Sequence, residues 1–553
     1  MPSSIPSGLQ AINYHERTKH HLHRFARSAG TMDWDNQPAP FRTYAGARKI
    51  LLPLAGADPV LPYPDLFQPE TAEPSPLALT SLALMMELSM GLSAWKAAGG
   101  QRWSLRMNPS SGNLHPTEAH LIAIGLKGID DGIYHYHPLE HALEERAHIP
   151  PRQAGALAPH LGAPFLLVAL SSIYWREAWK YGERAFRYCQ HDVGHALAAL
   201  RLAARLLNWR LIRMAAADED ISAALGFDRI LWPPHEEEVP ALIAAVLPAN
   251  APRSIEAFPI EAARILKTLD IKGRPSRLSR AHRRWDVINE TAAACRQPRP
   301  QTTASALEGE TPSAFPIAEP EAGAAAVIRQ RRSAVAFDPG RVLPQAAFLG
   351  MLERVLPRAA CPPFDVEFEE PRISLVLFVH RIQDLTPGLY AFIRHPQHLE
   401  ELRRASATAF AWEPPLRDVP LYLLEPGDFR AEAIDLSCRQ EIGGFSAFSL
   451  GMLARFEPEV CDTPWIYRHL FWEAGLIGQI LYLEAEARGV RGTGIGCFFD
   501  DLVHERLGLQ GRSWQSLYHF TVGFPVEDSR LQTLPPYFHL DLNRWGEPSL
   551  HNG

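Results

Sequence analysis

The amino-acid sequence predicts an α+β protein built from two tandem units, and an internal repeat is the first reason. The segment FRYCQHDVGHALAALRLAARLLNW, which begins at Phe186, is matched by YRHLFWEAGLIGQILYLEAEARGV, which begins at Tyr467. Apolar residues recur at helical spacing in both, so each is predicted to be one long helix. Further matches follow the same order: Arg187 with Arg468, Asp192 with Glu473, Gly194 with Gly475, Asp218 with Asp500, 225–226 with 507–508, and, upstream, 132–134 with 388–390. A recurring order favours a duplicated unit over a chance likeness between two helices.

Composition sets the boundaries of the two units. Residues 296–322 are rich in proline, alanine, serine and threonine, and are predicted to be a linker. The apolar spacing of IEAARILKTL predicts helices between the first unit and this linker. The resulting division is an N-terminal arm over 1–70, a first unit over 71–250, a helical connector and linker over 251–323, and a second unit over 324–545.

The overall composition is that of a globular protein, since 46% of the 553 residues are hydrophobic and 21% are charged. A net charge of −7 argues against a nucleic-acid partner. The six cysteines are scattered without a CxxC pair, which argues against a disulfide framework or a zinc ribbon. The apolar stretch 78–98 contains Thr80, Glu87 and Lys96, so it is predicted to be a buried amphipathic helix rather than a membrane span. Because the N-terminus has no basic-then-apolar signal pattern, a cytoplasmic location without a membrane partner is expected.

A polar loop between two prolines carries the strongest functional signal. Residues 106–118 read RMNPSSGNLHPTE, and the apolar run AHLIAIGL that follows is predicted to be a strand. Proline fixes φ at both ends of the loop, while the hydroxyl, amide and backbone N–H groups between them can point at one planar polar ligand. On residue types alone, an ordinary Asx or serine turn before a strand explains the segment at least as well.

Two segments of the second unit have the chemistry to hold a phosphorylated ring. The unit opens with IRQRRSAVAFDP, whose arginines and serine could clamp a phosphate, because guanidinium makes paired hydrogen bonds to phosphate oxygens. A solvated basic helix face is the alternative. The second segment, RGTGIGCFFDD at 491–501, has three glycines in five positions, which would let its backbone approach a flat ring closely.

The segment WREAWKYGERAFRYCQHDVGH is too polar and aromatic for an ordinary core helix. Lys180, Arg184 and Arg187 lie three or four positions apart, and Tyr181 lies three positions before Arg184. Two interpretations remain open. The segment is either a surface helix in which Glu183 pairs with Lys180 or Arg187, or a basic, aromatic wall of a ligand pocket.

The loop PSSGNLHP and the opening RRS resemble those of nitroreductase-like flavoproteins, and the loop is most similar to the branch that contains SagB-type azoline dehydrogenases. The resemblance implies that each unit is an α/β/α sandwich and that the cofactor is FMN. It implies that Arg331 and Ser333 hold the FMN phosphate. The family usually has a second basic residue two positions after the serine, where this chain has Val335. Arg530, near the C-terminus, is the expected replacement.

The same resemblance assigns the contacts to the flavin ring. It implies that the loop packs against the ring through Pro109, Ser110, Ser111 and Asn113, and that the glycine-rich segment passes the N5 edge through Gly494, Gly496 and Cys497. A backbone N–H in this segment could bond to a ring nitrogen and tune the electronics of the flavin.

Each unit lacks the motif that the other keeps. The first unit has no RRS opening and has IRMAAADED in place of the glycine-rich segment, while the second has CPPFDVEFEEPRISLVLF in place of PSSGNLHP. Nitroreductase-like proteins are typically twofold dimers with flavin at the interface, so the resemblance implies that this chain forms the dimer within itself. One FMN per chain is expected, at a site that both units share. Such an intrachain pseudo-dimer is compatible with a monomer.

The azoline dehydrogenases use an adjacent Lys-Tyr pair in catalysis, and Lys180 and Tyr181 match that pair. Desaturation needs a base for the proton and a hydride acceptor. Lysine can be the base if desolvation or the neighbouring Arg176 and Arg184 lower its pKa. Arg176, Arg184 and Arg187 are expected to line the substrate pocket. The chain departs from these enzymes because they are usually single units that act with a cyclodehydratase on a leader peptide, and nothing in it resembles a leader-binding wing.

Three functions remain open on the sequence. The first is an FMN-dependent dehydrogenase or oxidase acting on a modified peptide or a small heterocycle. The second is an NAD(P)H-dependent reductase of nitroaromatics or quinones, and the third is a non-catalytic pseudo-dimer that binds flavin or a partner. No GxGxxG opens a βαβ unit, so any nicotinamide is expected to be a transient co-substrate. No metal is expected, because the cluster of His15, His20, His21 and His23 lacks matching carboxylate or cysteine spacing; this segment is instead interpreted as an arm or lid over the pocket.

Overall fold

The computed structural model describes residues 5–251, 256–300, 315–358, 361–366 and 370–540. The arm and first unit contain, in chain order, α1 (Ser7–Arg17), β1 (Tyr44–Ala45), β2 (Arg48–Leu51), α2 (Leu79–Met90), β3 (Leu92–Ala98), β4 (Gln101–Arg106), β5 (Thr117–Ile124), β6 (Gly132–His137), β7 (Ala142–His148), α3 (Pro151–Leu161), β8 (Phe165–Ser172), α4 (Tyr174–Tyr181), α5 (Ala185–Leu206), β9 (Trp209–Arg213), α6 (Asp218–Leu225) and β10 (Val239–Pro248).

The connector and second unit complete the chain. Their elements are α7 (Ile260–Lys267), β11 (Arg274–Pro275), α8 (Asp286–Ala294), α9 (Ala324–Gln330), α10 (Gln345–Arg354), β12 (Ile373–Val379), β13 (Gly388–Phe392), α11 (Gln397–Ala405), β14 (Leu421–Pro426), α12 (Arg430–Leu436), α13 (Ile442–Phe445), β15 (Phe448–Arg455), α14 (Glu457–Asp462), α15 (Ile466–Ala487), β16 (Arg491–Ile495), α16 (Asp500–Leu507), β17 (Trp514–Gly523) and β18 (Gln532–Leu534).

Each unit has its own antiparallel sheet, and the two sheets have the same topology. The first is ordered β2-β7-β6-β5-β8-β10-β9 and the second β14-β13-β12-β15-β17-β16, so each strand of the second has a counterpart in the first. The long repeated segments are α5 and α15, as predicted. The shorter repeat is α6 and α16, and both helices end at a glycine in the left-handed conformation, Gly226 and Gly508. The predicted α+β class with two tandem units is therefore confirmed.

The layers explain why strands and helices are apolar on more than one face. The largest cluster of buried side chains lies between the two sheets and includes residues of α2, α5 and α15. A second cluster packs α3, α6 and α7 on the outer face of the first sheet, and a third packs α11, α12 and α16 on the outer face of the second. Central strands such as β8 and β12 are buried along their whole length because helices cover both of their faces.

The two long helices cross at equivalent positions of the repeat. A Cβ built on Gly475 would lie 3.0 Å from the Cα of Gly194 and would collide with the backbone oxygen of His191, while a Cβ on Gly194 would collide with the backbone of Trp472. Glycine is required at both positions because the helix backbones touch there. Matching glycines at one crossing are what a twofold dimer folded into a single chain produces.

Two parts of the chain join the units more closely than their sequence suggested. The arm enters both units: β2 is an edge strand of the first sheet, and α1 packs against α14 of the second unit. The helix prediction for 78–98 is wrong beyond Met90, because Leu92–Ala98 forms β3 and pairs with β4 and with β18 of the second unit. Among the described residues, no helix combines the length and apolar character that a membrane span needs.

Candidate functional site

Two adjoining cavities lie between the units. One, of about 300 Å³, is the basic cavity, lined by Lys96, Arg331, Arg332 and Arg491 among others. The other, of about 270 Å³, is the aromatic cavity, lined by Tyr181, Tyr188, His195, Tyr482 and Tyr518 among others. Pro109, Ser110 and Ser333 line both. The first unit supplies the polar loop and the second supplies Ser333, so neither unit forms the paired cavities alone.

The geometry brings most of the predicted binding residues to these cavities. Arg331 and Asn113 line the basic cavity, and Ser111, Gly494, Gly496 and Cys497 line the aromatic cavity. Tyr181 also lines the aromatic cavity. Segments that are more than 200 positions apart in the sequence thus meet in one place, which is the arrangement that the complementary motifs predicted.

Arg331 is a buried cation in the wall of the basic cavity. Its side chain is buried, and its Nη2 donates to the backbone oxygens of Arg106 and Met107 at 3.0 and 3.2 Å. Its Nε is buried and has no hydrogen-bond partner within the described part of the chain. Burial lowers the pKa of Arg331. Carbonyl oxygens hold the guanidinium but do not neutralise it, so its charge remains available to an anion in the basic cavity that it lines.

The cations around Arg331 repel one another. Burial and then the charge of Arg331 lower the pKa of Arg332 to about 10. Burial and then the charge of Arg332 lower the pKa of Lys96, whose ammonium donates to Thr533. Arg491 is the exception, because it pairs with Glu527 at 2.5 Å. An anion between these cations would relieve the repulsion, so the basic cavity suits a phosphate.

The polar loop is fixed by its own hydrogen bonds. Ser110 Oγ accepts from the backbone N–H of His115 at 2.8 Å, and Asn113 Nδ2 donates to the backbone oxygen of Ser104 at 2.9 Å. Gly112, Asn113 and His115 all have positive φ. Such a strained loop persists only where its surroundings hold it, and strain of this kind is concentrated at ligand-binding sites.

Tyr482 ties the two motifs of the second unit together. Its hydroxyl lies 3.1 Å from Ser333 Oγ and accepts from the backbone N–H of Gly494 at 2.9 Å. A Cβ on Gly494 would collide with Tyr518, and one on Gly496 would collide with Tyr188. The glycines are therefore required by the close approach of these tyrosines, which is a different reason from the direct ring contact that the sequence suggested.

Asp192 is an acidic group in the aromatic cavity to which the sequence had assigned no chemistry. Its carboxylate accepts from the backbone N–H and the hydroxyl of Ser111 at 3.1 and 3.2 Å. Burial raises its pKa to about 7, although hydrogen bonds from the serines of the loop oppose the shift. Glu177 is buried nearby, and burial together with Asp192 raises its pKa. A carboxyl that titrates near neutrality inside a cavity can accept or return a proton.

Tyr181 and Lys180 occupy different positions relative to the cavity. Tyr181 lines it, with its ring 4.5 Å from that of Tyr188. Lys180 is not among the described lining residues; its Nζ lies 5.2 Å from the centre of the Tyr181 ring, and a Cβ on Gly112 would come within 3.1 Å of it. Lys180 is thus placed to hold the tyrosine and the loop.

Three predicted pocket arginines are corrected by the structure, since none is among the described residues that line the cavities. Arg176 pairs with Glu118 and donates to the backbone of Ala39 and His115. Arg184 and Arg187 both pair with Asp500 of the second unit, at 2.9 and 2.8 Å. All three are buried and paired with carboxylates, so their charge holds the fold together and does not face a ligand.

The prediction for Arg530 is also corrected. Its guanidinium is 85% exposed and bonds to Asp528 two positions away, because the intervening chain forms a tight turn. Val335 does line the basic cavity, so the position remains without a charge. The cations of Lys96 and Arg332 line the cavity and replace that charge. Arg332 is visible in the RRS motif, but Lys96 comes from β3 and no local pattern connects it to the site.

The repeat relates the candidate site to a second, pseudo-equivalent position in the other half of the chain. Ion pairs fill this position. In the repeat, Arg201 occupies the place of Tyr482. Its guanidinium pairs with Glu70 at 2.7 Å and with Asp365 at 2.8 Å, and Asp365 belongs to the segment that replaces the polar loop. A buried arginine with two carboxylates fills the place where the complete site has a hydroxyl and open space.

The histidine cluster takes part in the contact between the arm and the second unit. His15 is buried with its ring 4.4 Å from that of Phe456. The backbone N–H of His20 donates to Asp500 at 2.9 Å, and His20 forms a bridge with Phe499. The arm thus packs beside the glycine-rich segment, at one edge of the aromatic cavity.

The residues of both cavities fit FMN. The basic cavity offers the cations of Arg331, Arg332 and Lys96 for a phosphate, and the aromatic cavity offers tyrosine rings and the fixed loop for a planar ring system. The shared residues Pro109, Ser110 and Ser333 would lie where the two parts of such a ligand join.

Comparison with known proteins agrees with this architecture. No protein-family profile matches the chain. A Methanocaldococcus jannaschii protein with a provisional nitroreductase name is 26% identical over 147 residues, which are 26% of this chain and 70% of that protein. A Ralstonia eutropha structure with the same provisional name has a TM-score of 0.26 and 16% identity, and covers 40% of this chain and 88% of its own. A structure from Anabaena variabilis, also provisionally named a nitroreductase, has a TM-score of 0.68 and 21% identity, and covers 94% of this chain and 99% of its own. This last match shows that the chain has a nitroreductase-like fold over nearly its whole length.

Proposed function

We propose that the chain is an FMN-dependent oxidoreductase that binds one FMN between its two units. The observation that carries the proposal is the pair of adjoining cavities that share Pro109, Ser110 and Ser333, one basic and one aromatic. The nitroreductase names of its relatives support the same class of activity. One FMN per chain is proposed because Arg201, Glu70 and Asp365 fill the pseudo-equivalent position.

Within this class we propose a dehydrogenase of the SagB type, acting on a modified peptide or a small heterocycle. Bound FMN would supply a two-electron hydride acceptor. The protein must then supply a proton acceptor beside it, and the aromatic cavity contains a carboxylate suited to this task, Asp192. Asp192 is the proposed base, because its pKa near 7 leaves a large ionised fraction at neutral pH. Tyr181 is proposed to orient the substrate or relay the proton.

An NAD(P)H-dependent reductase is the second candidate, and the names of the relatives are what favour it. Rapid-mixing absorbance measurements separate the two. A reductase bleaches the flavin rapidly with NADH or NADPH and is reoxidised by a nitroaromatic or a quinone. The proposed dehydrogenase is bleached slowly by either nicotinamide and rapidly by an azoline-containing peptide.

The binding proposal is tested by titrating flavin-free protein with FMN and following fluorescence quenching and calorimetric heat. We expect saturation at one FMN per chain. Saturation at two would show that the pseudo-equivalent position also binds. Protein that takes up no FMN would leave only the partner-binding form of the third candidate, the non-catalytic pseudo-dimer.

A further inference from the structure

Two cysteines meet at the edge of the aromatic cavity. Cys497 follows the glycine-rich segment and lines the cavity, and its Sγ lies 2.8 Å from the Sγ of Cys438. Cys438 follows α12, on a separate turn of the second unit. Both thiols are partly exposed. Reagents in solution can therefore reach the pair, which distinguishes it from the buried Cys189 and Cys295.

Hydrogen bonds also join the segment of Cys438 to the segment of Cys497. The N–H of Phe499 donates to the backbone oxygen of Leu436 at 2.9 Å, and Gln440 Nε2 donates to the backbone oxygen of Cys497 at 3.2 Å. Cys438 and Arg439 both have positive φ, at 53° and 62°. Two successive non-glycine residues in this region are strained, so the surrounding contacts must fix the turn that brings Cys438 to Cys497.

The surroundings distinguish the two sulfurs. His20 Nδ1 accepts from the backbone N–H of Ala26 at 2.9 Å, so the ring proton of neutral His20 is on Nε2. The contact with Cys438 lowers the pKa of Cys497; burial opposes the shift, and His20 and Arg184 add to it. The same contact raises the pKa of Cys438. His20 and Arg184 lie on the Cys497 side of the pair, since His20 forms a bridge with Phe499 and Arg184 donates to the backbone oxygen of Gly496, so Cys497 is the sulfur whose thiolate they favour.

We propose that Cys438 and Cys497 form a redox-active dithiol that low-molecular-weight disulfides oxidise to an intrachain disulfide, with Cys497 as the attacking sulfur. Neither the proposal nor its chemistry depends on FMN. It assigns to this edge of the cavity a thiol–disulfide exchange site whose substrate class is small disulfides.

The exchange proceeds in two steps that balance. The Cys497 thiolate attacks one sulfur of a disulfide RSSR, which forms a mixed disulfide and releases RS⁻. Cys438 then loses its proton, attacks Cys497 Sγ and releases the second RS⁻. Two protein sulfurs are oxidised and one small disulfide is reduced; the proton of Cys438 leaves on one released thiol, and water supplies the proton of the other at neutral pH.

The disulfide would join the turn after α12 to the segment after β16. Since Cys497 lines the aromatic cavity, the crosslink would fix that edge of the cavity, whereas the dithiol leaves the two segments joined only by hydrogen bonds. Oxidation would thus reduce the mobility of the cavity entrance without introducing bulk.

The test uses the full chain, equilibrated in buffers of reduced and oxidised glutathione at several ratios, then alkylated and mapped by mass spectrometry. We expect a crosslink between the peptides of Cys438 and Cys497, formed and lost as one two-electron step. The exposed Cys461 is the control, because it is expected to be alkylated or glutathionylated but never paired within the chain.

Two variants test the order of attack. In Cys438→Ser, the resolving sulfur is absent, so Cys497 should accumulate as the mixed disulfide with glutathione. In Cys497→Ser, Cys438 should remain alkylatable at ratios that fully oxidise the native pair. Alkylation of both cysteines in the native chain at every ratio would overturn the proposal, and glutathione on Cys438 in Cys497→Ser at the native rate would overturn the assignment of Cys497 as the attacking sulfur.

Discussion

Arg187 of the first unit and Asp500 of the second are joined by an ion pair of 2.8 Å, and the repeat contains its reciprocal. Arg468 of the second unit pairs with Asp218 of the first at 2.9 Å. Arg187 matches Arg468 and Asp218 matches Asp500, so the two pairs are related by the pseudo-twofold axis of the chain. The matching residues that revealed the duplication therefore form ion pairs that hold the two units together.

The two pairs differ through Arg184, which makes a second contact to Asp500 at 2.9 Å. Burial opposes the ionisation of both aspartates. At Asp218 burial prevails over Arg468, and the pKa is raised. At Asp500 the two arginines outweigh burial and hold the pKa well below its usual range. The stronger pair lies beside the candidate site, next to the glycine-rich segment.

The first prediction is that Asp500→Asn destabilises the protein by about 3–5 kcal/mol, because Arg184 and Arg187 would be left as buried, uncompensated charges. Since the folded pKa of Asp500 is lowered, its contribution is fully present above the pKa of the unfolded chain and is lost as pH falls below about 4. The difference between variant and native protein, measured by urea unfolding, should therefore be constant from pH 6 to 8.

Asp428→Asn is the matched control. Asp428 pairs with Arg430 at 2.5 Å on the surface, with both side chains more than half exposed. Its removal should change the unfolding midpoint little. An equal loss of stability in the two variants would mean that the Arg187–Asp500 pair has no special role in joining the units.

The second prediction concerns the basic cavity. Arg331→Ala removes a buried cation from the wall of the basic cavity, and a charge-assisted hydrogen bond contributes about 1.5–3 kcal/mol. FMN affinity should fall at least tenfold, while riboflavin, which lacks the phosphate, should lose much less. Fluorescence titration with both ligands makes the comparison.

Arg530→Ala is the control for the loss of one positive charge in the same region. Its guanidinium is exposed and bonded to Asp528, so FMN affinity should change by less than twofold. If Arg530→Ala weakened FMN binding as much as Arg331→Ala, the phosphate would lie nearer the C-terminus than the basic cavity.

The parts of the fold that the sequence predicted are those encoded by local patterns. The helical stripes of α5 and α15 and the apolar run of β5 are periodic, and these elements lie where expected. The stretch 78–98 was wrongly predicted to be one helix because its apolar composition fits a buried helix or a buried strand equally well. The part after Gly91 is a strand because of tertiary contacts: it pairs with β18, and the backbone N–H of Leu92 donates to the hydroxyl of Tyr537 at 2.9 Å.

The site was predictable where a motif is continuous in the chain. Ser110 and Ser333 stand in recognisable loops, and both reach the shared edge of the cavities. The roles of Arg184 and Arg187 could not be predicted, because the sequence shows a basic face but not the aspartate, more than 300 positions away, that neutralises it. Asp192 could have been found, since Tyr188, Asp192 and His195 are spaced as one face of α5.

The third prediction is a pH-dependent stability caused by Asp192. Burial raises its folded pKa to about 7, so the folded state binds a proton that the unfolded chain has already lost between about pH 4 and 7. Native protein should therefore lose stability relative to Asp192→Asn as pH rises through this window, by at most roughly 1.4 kcal/mol per pH unit. Above pH 7 the difference should be constant.

Urea unfolding at pH 4.5, 5.5, 6.5 and 8 measures this difference, and Asp384→Asn supplies the control. Asp384 is exposed and has positive φ, a conformation that asparagine also adopts, so its replacement should change the stability little. A flat profile for Asp192→Asn would mean that the carboxyl remains ionised in the folded protein, and the assignment of Asp192 as a base that titrates near neutrality would be withdrawn.

The last prediction separates the roles of Tyr181 and Lys180. Tyr181 lines the aromatic cavity, so Tyr181→Phe should lower turnover of an azoline-containing peptide by about 10²–10⁴-fold if the hydroxyl takes part in proton transfer. Lys180 contacts the tyrosine ring and not the cavity, and a cation–π contact contributes about 0.5–2 kcal/mol. Lys180→Ala should therefore cost roughly tenfold, and Lys180→Arg should restore most of it, because arginine can make the same contact. The double variant should resemble Tyr181→Phe alone, since Lys180 acts through the tyrosine.

Lys267→Ala, at an exposed position, should have no effect. FMN content should be normal in every variant, and reduction of the flavin by NADPH should be nearly unchanged, because that reaction removes no proton from carbon. A loss of about 10²-fold or more in Lys180→Ala that arginine does not rescue would instead make the neutral amine of Lys180 the proton acceptor, and Asp192 would lose that role.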